Sequence, residues 1–220
     1  DGDVYVVSNV VLYGLDESPH TDYSEIRMDA SPVSEGGDIA SKTQGNWLSH
    51  YSGSDKMMLN LPLMYAILEA IHDNKDDETA KELLESLESD FNPSFLVMST
   101  RFNYDQNKVW HNVTTPEQIE LDVHIPNYQG DVQDIISSED WAHPLRSMFM
   151  TRDLEKIPKV LGQYGDRRGV IWTASDNRNV ERAAFVGFDL GNFLVYGYYF
   201  LNDNDGRSRW VGAGGADRPR

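Results

Sequence analysis

Two strand-like runs near the C-terminus, separated by a two-residue turn, constrain the fold of this chain more than any other feature. Residues 182–190 and 193–201 are rich in aromatic and β-branched residues, and Gly191-Asn192 lies between them. A Gly-Asn pair between two such runs is typical of a β-hairpin. Because a two-residue turn fixes the strand register, Leu190 is predicted to lie opposite Phe193.

The predicted hairpin is apolar on both faces, so each face must be covered or must bind something. One face carries Phe188, Leu190, Phe193, Val195 and Tyr199, and the other carries Phe185, Leu194, Tyr196, Tyr198 and Phe200. Tyrosine suits a contact surface because its ring is apolar and its hydroxyl is polar. We therefore predict a partner-binding face at Phe185, Tyr196, Tyr198 and Phe200. The alternative is that helices or the segment 14–55 cover this face.

A helix pair is predicted at about 61–91. Residues 61–71 are apolar nearly all round, which indicates a helix buried on every side, and Pro62 suits its first turn. The acidic turn at 72–78 precedes a second helix with one apolar stripe. That stripe consists of Ala80, Leu83, Leu84, Leu87 and Phe91.

The remaining patterns complete an α+β prediction: an antiparallel sheet whose C-terminal β-meander (about 168–213) packs against the helix pair (about 61–91). Segment 14–56 has no sustained period and is predicted to be long and irregular, with a short strand near Ile26–Met28. Residues 1–211 are expected to form one domain, and the Gly-rich end, 212–220, a flexible tail or linker. Further strands are predicted at 4–13, 94–102, 108–112, 118–125, 169–173 and 207–211, and broken helix at 131–162.

Charge and cysteine content exclude several functions. Acidic residues outnumber basic ones by 36 to 19, for a net charge of −17, which argues against nucleic acid or an anionic membrane as the main partner. No apolar run is long enough to cross a bilayer, so we predict a soluble protein without membrane insertion.

Cysteine is absent, which excludes disulfides and thiolate chemistry. A chain that starts without Met and lacks Cys is compatible with export; its compartment stays open.

One strand offers an alternative, catalytic interpretation. Residues 118–125 alternate strictly, so Glu120, Asp122 and His124 share the polar face of the predicted strand. Two carboxylates and an imidazole can bind a divalent cation or exchange protons, given a further ligand such as Asp105 or His111. This pattern supports a metal-dependent hydrolase as the alternative function. The same alternation also describes the wet face of an amphipathic strand.

A weaker cation signal lies at 202–206, where Asp203 and Asp205 precede Gly206. The spacing does not fit a calcium-binding EF-hand loop, because Leu201 and Gly212 would occupy ligand positions. A hairpin turn between two strands explains the same residues.

The absence of a catalytic signature favours a non-catalytic function. The chain has no phosphate-binding Gly-rich loop, no G-x-S-x-G motif and no H-E-x-x-H motif. We therefore expect a protein-interaction domain, a subunit or domain of a larger assembly, that docks a protein partner or a second copy through the aromatic hairpin face. No cofactor is expected beyond a divalent cation in the hydrolase alternative.

Overall fold

A computed structural model describes residues 4–35, 38–91, 95–112, 118–164, 167–173, 181–189, 191–203 and 206–217. The fold is α+β, as the sequence patterns predict. The helices are α1 (Gln44–Tyr51), α2 (Leu61–Asp73), α3 (Glu78–Phe91), α4 (Glu139–Phe149) and α5 (Ile157–Leu161). The strands are β1 (Val4–Tyr13), β2 (Pro19–Asp29), β3 (Ser34–Glu35), β4 (Asp38–Ile39), β5 (Met57–Met58), β6 (Phe95–Asn103), β7 (Lys108–Asn112), β8 (Gln118–Asp122), β9 (Gln129–Asp131), β10 (Gly169–Thr173), β11 (Glu181–Asp189), β12 (Asn192–Phe200), β13 (Gly206–Arg207) and β14 (Trp210–Asp217).

The strands form two main sheets with a buried helix between them. The larger sheet has the order β8-β7-β6-β11-β12-β10-β9, with β13 beside β6, and the smaller sheet has the order β1-β2-β14-β5. Helix α2 contacts β1 of the smaller sheet and β6 of the larger one, and it also packs against α3, α4 and α5. Both sheets and α2 contribute to one hydrophobic core.

The helix pair confirms the prediction for 61–91. Eight of the thirteen residues of α2 are buried, as a helix that is apolar all round requires. Its N-terminus is capped by Asn60, whose side-chain Oδ1 accepts a hydrogen bond from the Leu63 backbone N–H at 2.7 Å. Leu83 and Leu87 of α3 are buried in the same core.

Segment 14–56 is not irregular, and that prediction was wrong. It contains β2, an eleven-residue strand in the interior of the smaller sheet, and α1. The inward residues of β2 are Thr21 and Tyr23, followed by Ile26 and Met28, so the alternation slips by one residue in mid-strand. Directly across the pair, Asn9 of β1 has a φ of 58°, and the inward residues of β1 also shift. Because of this slip, the residues of β2 do not show a continuous alternation of apolar and polar side chains, which is why the sequence did not predict the strand.

The Gly-rich end is a strand through Asp217, not a flexible tail. Strand β14 pairs antiparallel with both β2 and β5, so hydrogen bonds from two neighbours hold a sequence with low strand propensity. Residues 218–220 lie outside the described residues.

The predicted antiparallel meander at about 168–213 is also wrong, because its strands do not all pair antiparallel in one sheet. Strand β10 pairs with β12 in parallel, and β13 pairs with β6 in parallel, while β14 belongs to the other sheet. Only β11 and β12 form the predicted antiparallel hairpin.

The register of that hairpin differs from the prediction by two residues. Phe188 lies opposite Phe193, and Asp189 lies opposite Asn192. Gly191 lies in the turn before Asn192 and has a left-handed backbone with a φ of 78°, which glycine adopts without strain. Phe193 therefore pairs with Phe188 and not with Leu190, as was predicted; Leu190 itself lies outside the described residues. A shift of two residues leaves each side chain on the same face of the sheet.

Candidate functional site

The predicted aromatic face of the hairpin is largely covered within the chain. Phe185 and Tyr196 are both buried, and α1 packs over them with Trp47 and Tyr51. The indole N–H of Trp47 donates a hydrogen bond to the backbone oxygen of Gly206 at 2.9 Å, which attaches α1 to the sheet. Part of segment 14–55 therefore covers this face, as the alternative interpretation proposed.

Phe200, predicted to lie on the same face, does not join Phe185 and Tyr196. The β11–β12 register shifts between Ala183 and Phe185, and beyond the shift Phe200 lies opposite Arg182. The Phe200 ring is 49% exposed and lies against the Arg182 guanidinium, 4.0 Å from carbon to ring centroid. Tyr199, rather than Phe200, packs with Tyr196, at 5.4 Å between ring centroids. The side chain of Tyr198 lies outside the described residues.

Glu120, Asp122 and His124 share a wet face but do not converge. Glu120 binds the Lys108 ammonium and accepts a hydrogen bond from the Trp110 indole N–H at 2.7 Å, and these two donors lower its pKa. The Asp122 side chain is 86% exposed, and His124 hydrogen bonds to the Asn107 side chain at 2.8 Å. Within the described ranges, no group of three His, Asp or Glu side chains is placed to hold a metal ion.

Asp203 closes a turn after β12. Its side-chain Oδ2 accepts a hydrogen bond from the Phe200 backbone N–H at 2.7 Å, and its own backbone N–H donates to the Phe200 oxygen at 3.1 Å. A turn was predicted here as the alternative to a cation loop, but it is not the predicted hairpin turn, because the next strand, β13, pairs with β6 and not with β12. Asp205 lies outside the described residues.

His111, named from the sequence only as an extra metal ligand, is fully buried in a structural network. Its Nε2–H donates to the Ser147 backbone oxygen at 2.7 Å, and its Nδ1 accepts from the Thr100 hydroxyl at 2.8 Å. The Thr100 oxygen in turn accepts the Leu61 backbone N–H at 2.9 Å. Burial lowers the pKa of His111 to about 4, so the neutral imidazole joins α2, β6, β7 and α4.

The feature that sequence reasoning missed is the edge strand β1. Among the described strands it pairs only with β2, so one side of its backbone has no strand beside it. None of its ten residues is charged, and none is proline. Val4 and Val6 point outward at 40% and 52% exposure, while Tyr5 and Val7 pack partly on the core. Exposed apolar edge strands of this length pair readily with another chain.

The other sheet edges in the described part of the chain are protected in the usual ways. Strand β5 has two residues and β9 has three, which leaves little backbone to pair. Strand β8 carries Glu120 and Asp122 on its exposed face. Short edges and edge charges are the devices by which proteins prevent unwanted strand pairing. Strand β1 lacks them, although Asn9 breaks its regularity.

A groove of about 390 Å³ lies beside β1, between this strand and the turn that joins α2 to α3. Buried Ile71 and Leu83 contribute apolar lining from the two helices. The turn is held by helix caps, because Asn74 bonds back to the last turn of α2 and Asp77 accepts the Thr79 and Ala80 backbone N–H groups. The groove is lined by Tyr5, Val6, Val7, Ser8, Ala70, Ile71, Asn74, Asp77, Thr79, Ala80 and Leu83.

Comparisons of this chain with protein-family models, with curated proteins and with solved structures find no match. In the described part of the chain, no helix combines the length and the apolar character that a bilayer crossing requires. The uncharged run at 4–13 is the one sequence signal of the site, and it becomes informative only once the strand order places that run at an edge.

Proposed function

We propose that this chain is a non-catalytic protein-interaction domain that binds an extended segment of a partner protein as an added strand beside β1. The observation that carries the proposal is the uncharged, partly exposed edge strand next to an apolar groove. In strand addition, main-chain hydrogen bonds supply affinity, and alternate side chains of the ligand enter pockets beside the edge. The groove between β1 and the α2–α3 turn supplies such a pocket.

This proposal moves the docking surface from the aromatic hairpin face to β1. Phe185 and Tyr196 are buried by α1, so they do not offer a free surface in this conformation. The hydrolase alternative is not put forward, because Lys108 and Trp110 occupy the Glu120 carboxylate and His124 bonds to Asn107.

A fluorescently labelled peptide of alternating Val and Thr is expected to bind to the protein beside β1. The substitution Val6→Lys is expected to weaken this binding at least tenfold, because an edge lysine opposes strand pairing. Val6 is more than half exposed, so the substitution leaves the fold intact. Fluorescence anisotropy measures the affinity.

The matched control is Ile39→Lys, which makes the same change of charge at an exposed residue of β4 and should bind as the unmodified protein does. A peptide N-methylated at alternate residues cannot pair as a strand and should bind at least tenfold more weakly. Equal binding by Val6→Lys, or by the N-methylated peptide, would overturn the proposal.

A further inference from the structure

We infer that the segment bound beside β1 is basic; this inference rests on the strand-addition function proposed above. The groove ends at the most acidic turn of the helix pair. Between Asp73 and Glu85 there are six carboxylates and two lysines. The residues from 73 to 79 are all exposed, so their charges face the solvent in which a ligand arrives.

Four of these carboxylates, Asp76, Asp77, Glu82 and Glu85, form no ion pair among the described residues, and Asp77 also caps α3 through its Oδ1. Asp77 lines the groove. Asp73 and Glu78, by contrast, are paired with Lys156 and Lys81. Of the two lysines in this segment, Lys81 is paired with Glu78. Lys75 is therefore the one remaining positive charge in the segment that could offset Asp76 and Asp77.

The strand side of the groove contributes no opposing charge. Strand β1 is uncharged, and Arg27, which lies opposite Val6 on β2, is neutralised by its ion pair with Glu25. The whole chain has a net charge of −17, so the long-range field also favours a cationic segment over an acidic one. The same field disfavours a second copy of this chain as the occupant. The occupant that fits is therefore an extended segment in which apolar residues alternate with lysine or arginine.

Three labelled peptides of equal length test this inference: Val alternating with Lys, with Thr and with Glu. We expect the Lys peptide to bind at least tenfold more tightly than the Glu peptide at low salt, with the Thr peptide between them. Because ionic screening weakens exposed charges, the difference should shrink severalfold at 0.5 M salt. All affinities are measured by anisotropy on the full chain.

A double variant, Asp76→Asn with Asp77→Asn, locates the charges responsible. Asparagine also caps helices, so the turn keeps its structure. We expect the Lys peptide to lose affinity severalfold while the Thr peptide is unaffected. The control is Asp134→Asn with Asp140→Asn, which makes the same charge change beside a separate cleft at α4 and should alter neither peptide.

The outcomes separate this inference from the function on which it rests. Equal binding of the three peptides, with loss in Val6→Lys, would overturn the basic ligand and leave strand addition standing. An unchanged Lys-peptide affinity in the Asp76/Asp77 double variant would also overturn the basic ligand. Binding by none of the three peptides would overturn strand addition as well. Dimerisation seen by light scattering and abolished by Val6→Lys would identify a second copy as the occupant and contradict the inference.

Discussion

Acidification from pH 7 to pH 5 is expected to lower the free energy of unfolding by about 2 kcal/mol through His111 alone. The folded protein holds this imidazole with a pKa of about 4, against about 6.5 for an unfolded chain, because burial disfavours the charged ring. Below pH 6.5, His111 is therefore mostly protonated in the unfolded state and stays neutral in the folded state until the pH approaches 4. The contribution of His111 to stability is nearly constant above about pH 7 and falls as the pH drops towards 4, with a limiting loss of about 3 kcal/mol.

Comparison with His111→Gln isolates this effect from the carboxylates, which titrate in the same range in both proteins. Urea unfolding at pH 7, 6 and 5 should show the advantage of the unmodified protein shrinking by about 2 kcal/mol. The pKa of His111 can also be measured directly in the unmodified protein from the NMR signals of its imidazole ring. A His111 ring that titrates near pH 6.5 by NMR would contradict the buried network.

Replacing Gln44 by leucine is expected to destabilise the fold by about 2–6 kcal/mol. The buried Gln44 amide donates hydrogen bonds to the backbone oxygens of Met98 and Thr100, at 2.7 and 2.9 Å. These oxygens lie where β6 departs from β11, since the register of that pair shifts between Ala183 and Phe185. Each buried carbonyl left without a donor costs about 1–3 kcal/mol.

Gln129→Leu is the matched control, because Gln129 is exposed on β9 and its replacement should change stability by less than about 0.5 kcal/mol. Urea unfolding measures both variants against the unmodified protein. A loss below about 0.5 kcal/mol in Gln44→Leu would mean that water satisfies the two carbonyls, and that α1 does not depend on this contact.

Local patterns predicted the elements whose side chains repeat regularly. Helix α2 has apolar residues all round and is buried, and β7 and β10 have the predicted bounds. Helix α1 gave a weaker signal, because Gly45 and Asn46 interrupt it, although Trp47 and Tyr51 already had helical spacing. The sequence therefore named the segment 14–55 as one possible cover for the aromatic face without predicting a helix within it.

Non-local features could not be predicted in the same way. The strand character of β14 comes from its two neighbours, because glycine and alanine carry no pattern of their own. The hairpin register depended on whether Gly191 begins or ends the loop, and both placements satisfy the local sequence. The edge position of β1 is a property of strand order, which no run of residues in β1 encodes.

Amide hydrogen exchange of β1, followed by NMR with and without the Lys peptide, tests the central proposal most directly. In the free protein, the β1 amides that point away from β2 should exchange fast, except that of Tyr13, which donates a hydrogen bond to the Met150 backbone oxygen at 2.7 Å. Strand addition predicts at least a tenfold slowing of these amides on saturation, with no change in β9 or in α1. Unchanged exchange along β1 together with new protection around Phe95, Trp172 and Tyr199 would place the ligand on the aromatic sheet face and contradict docking at the edge strand.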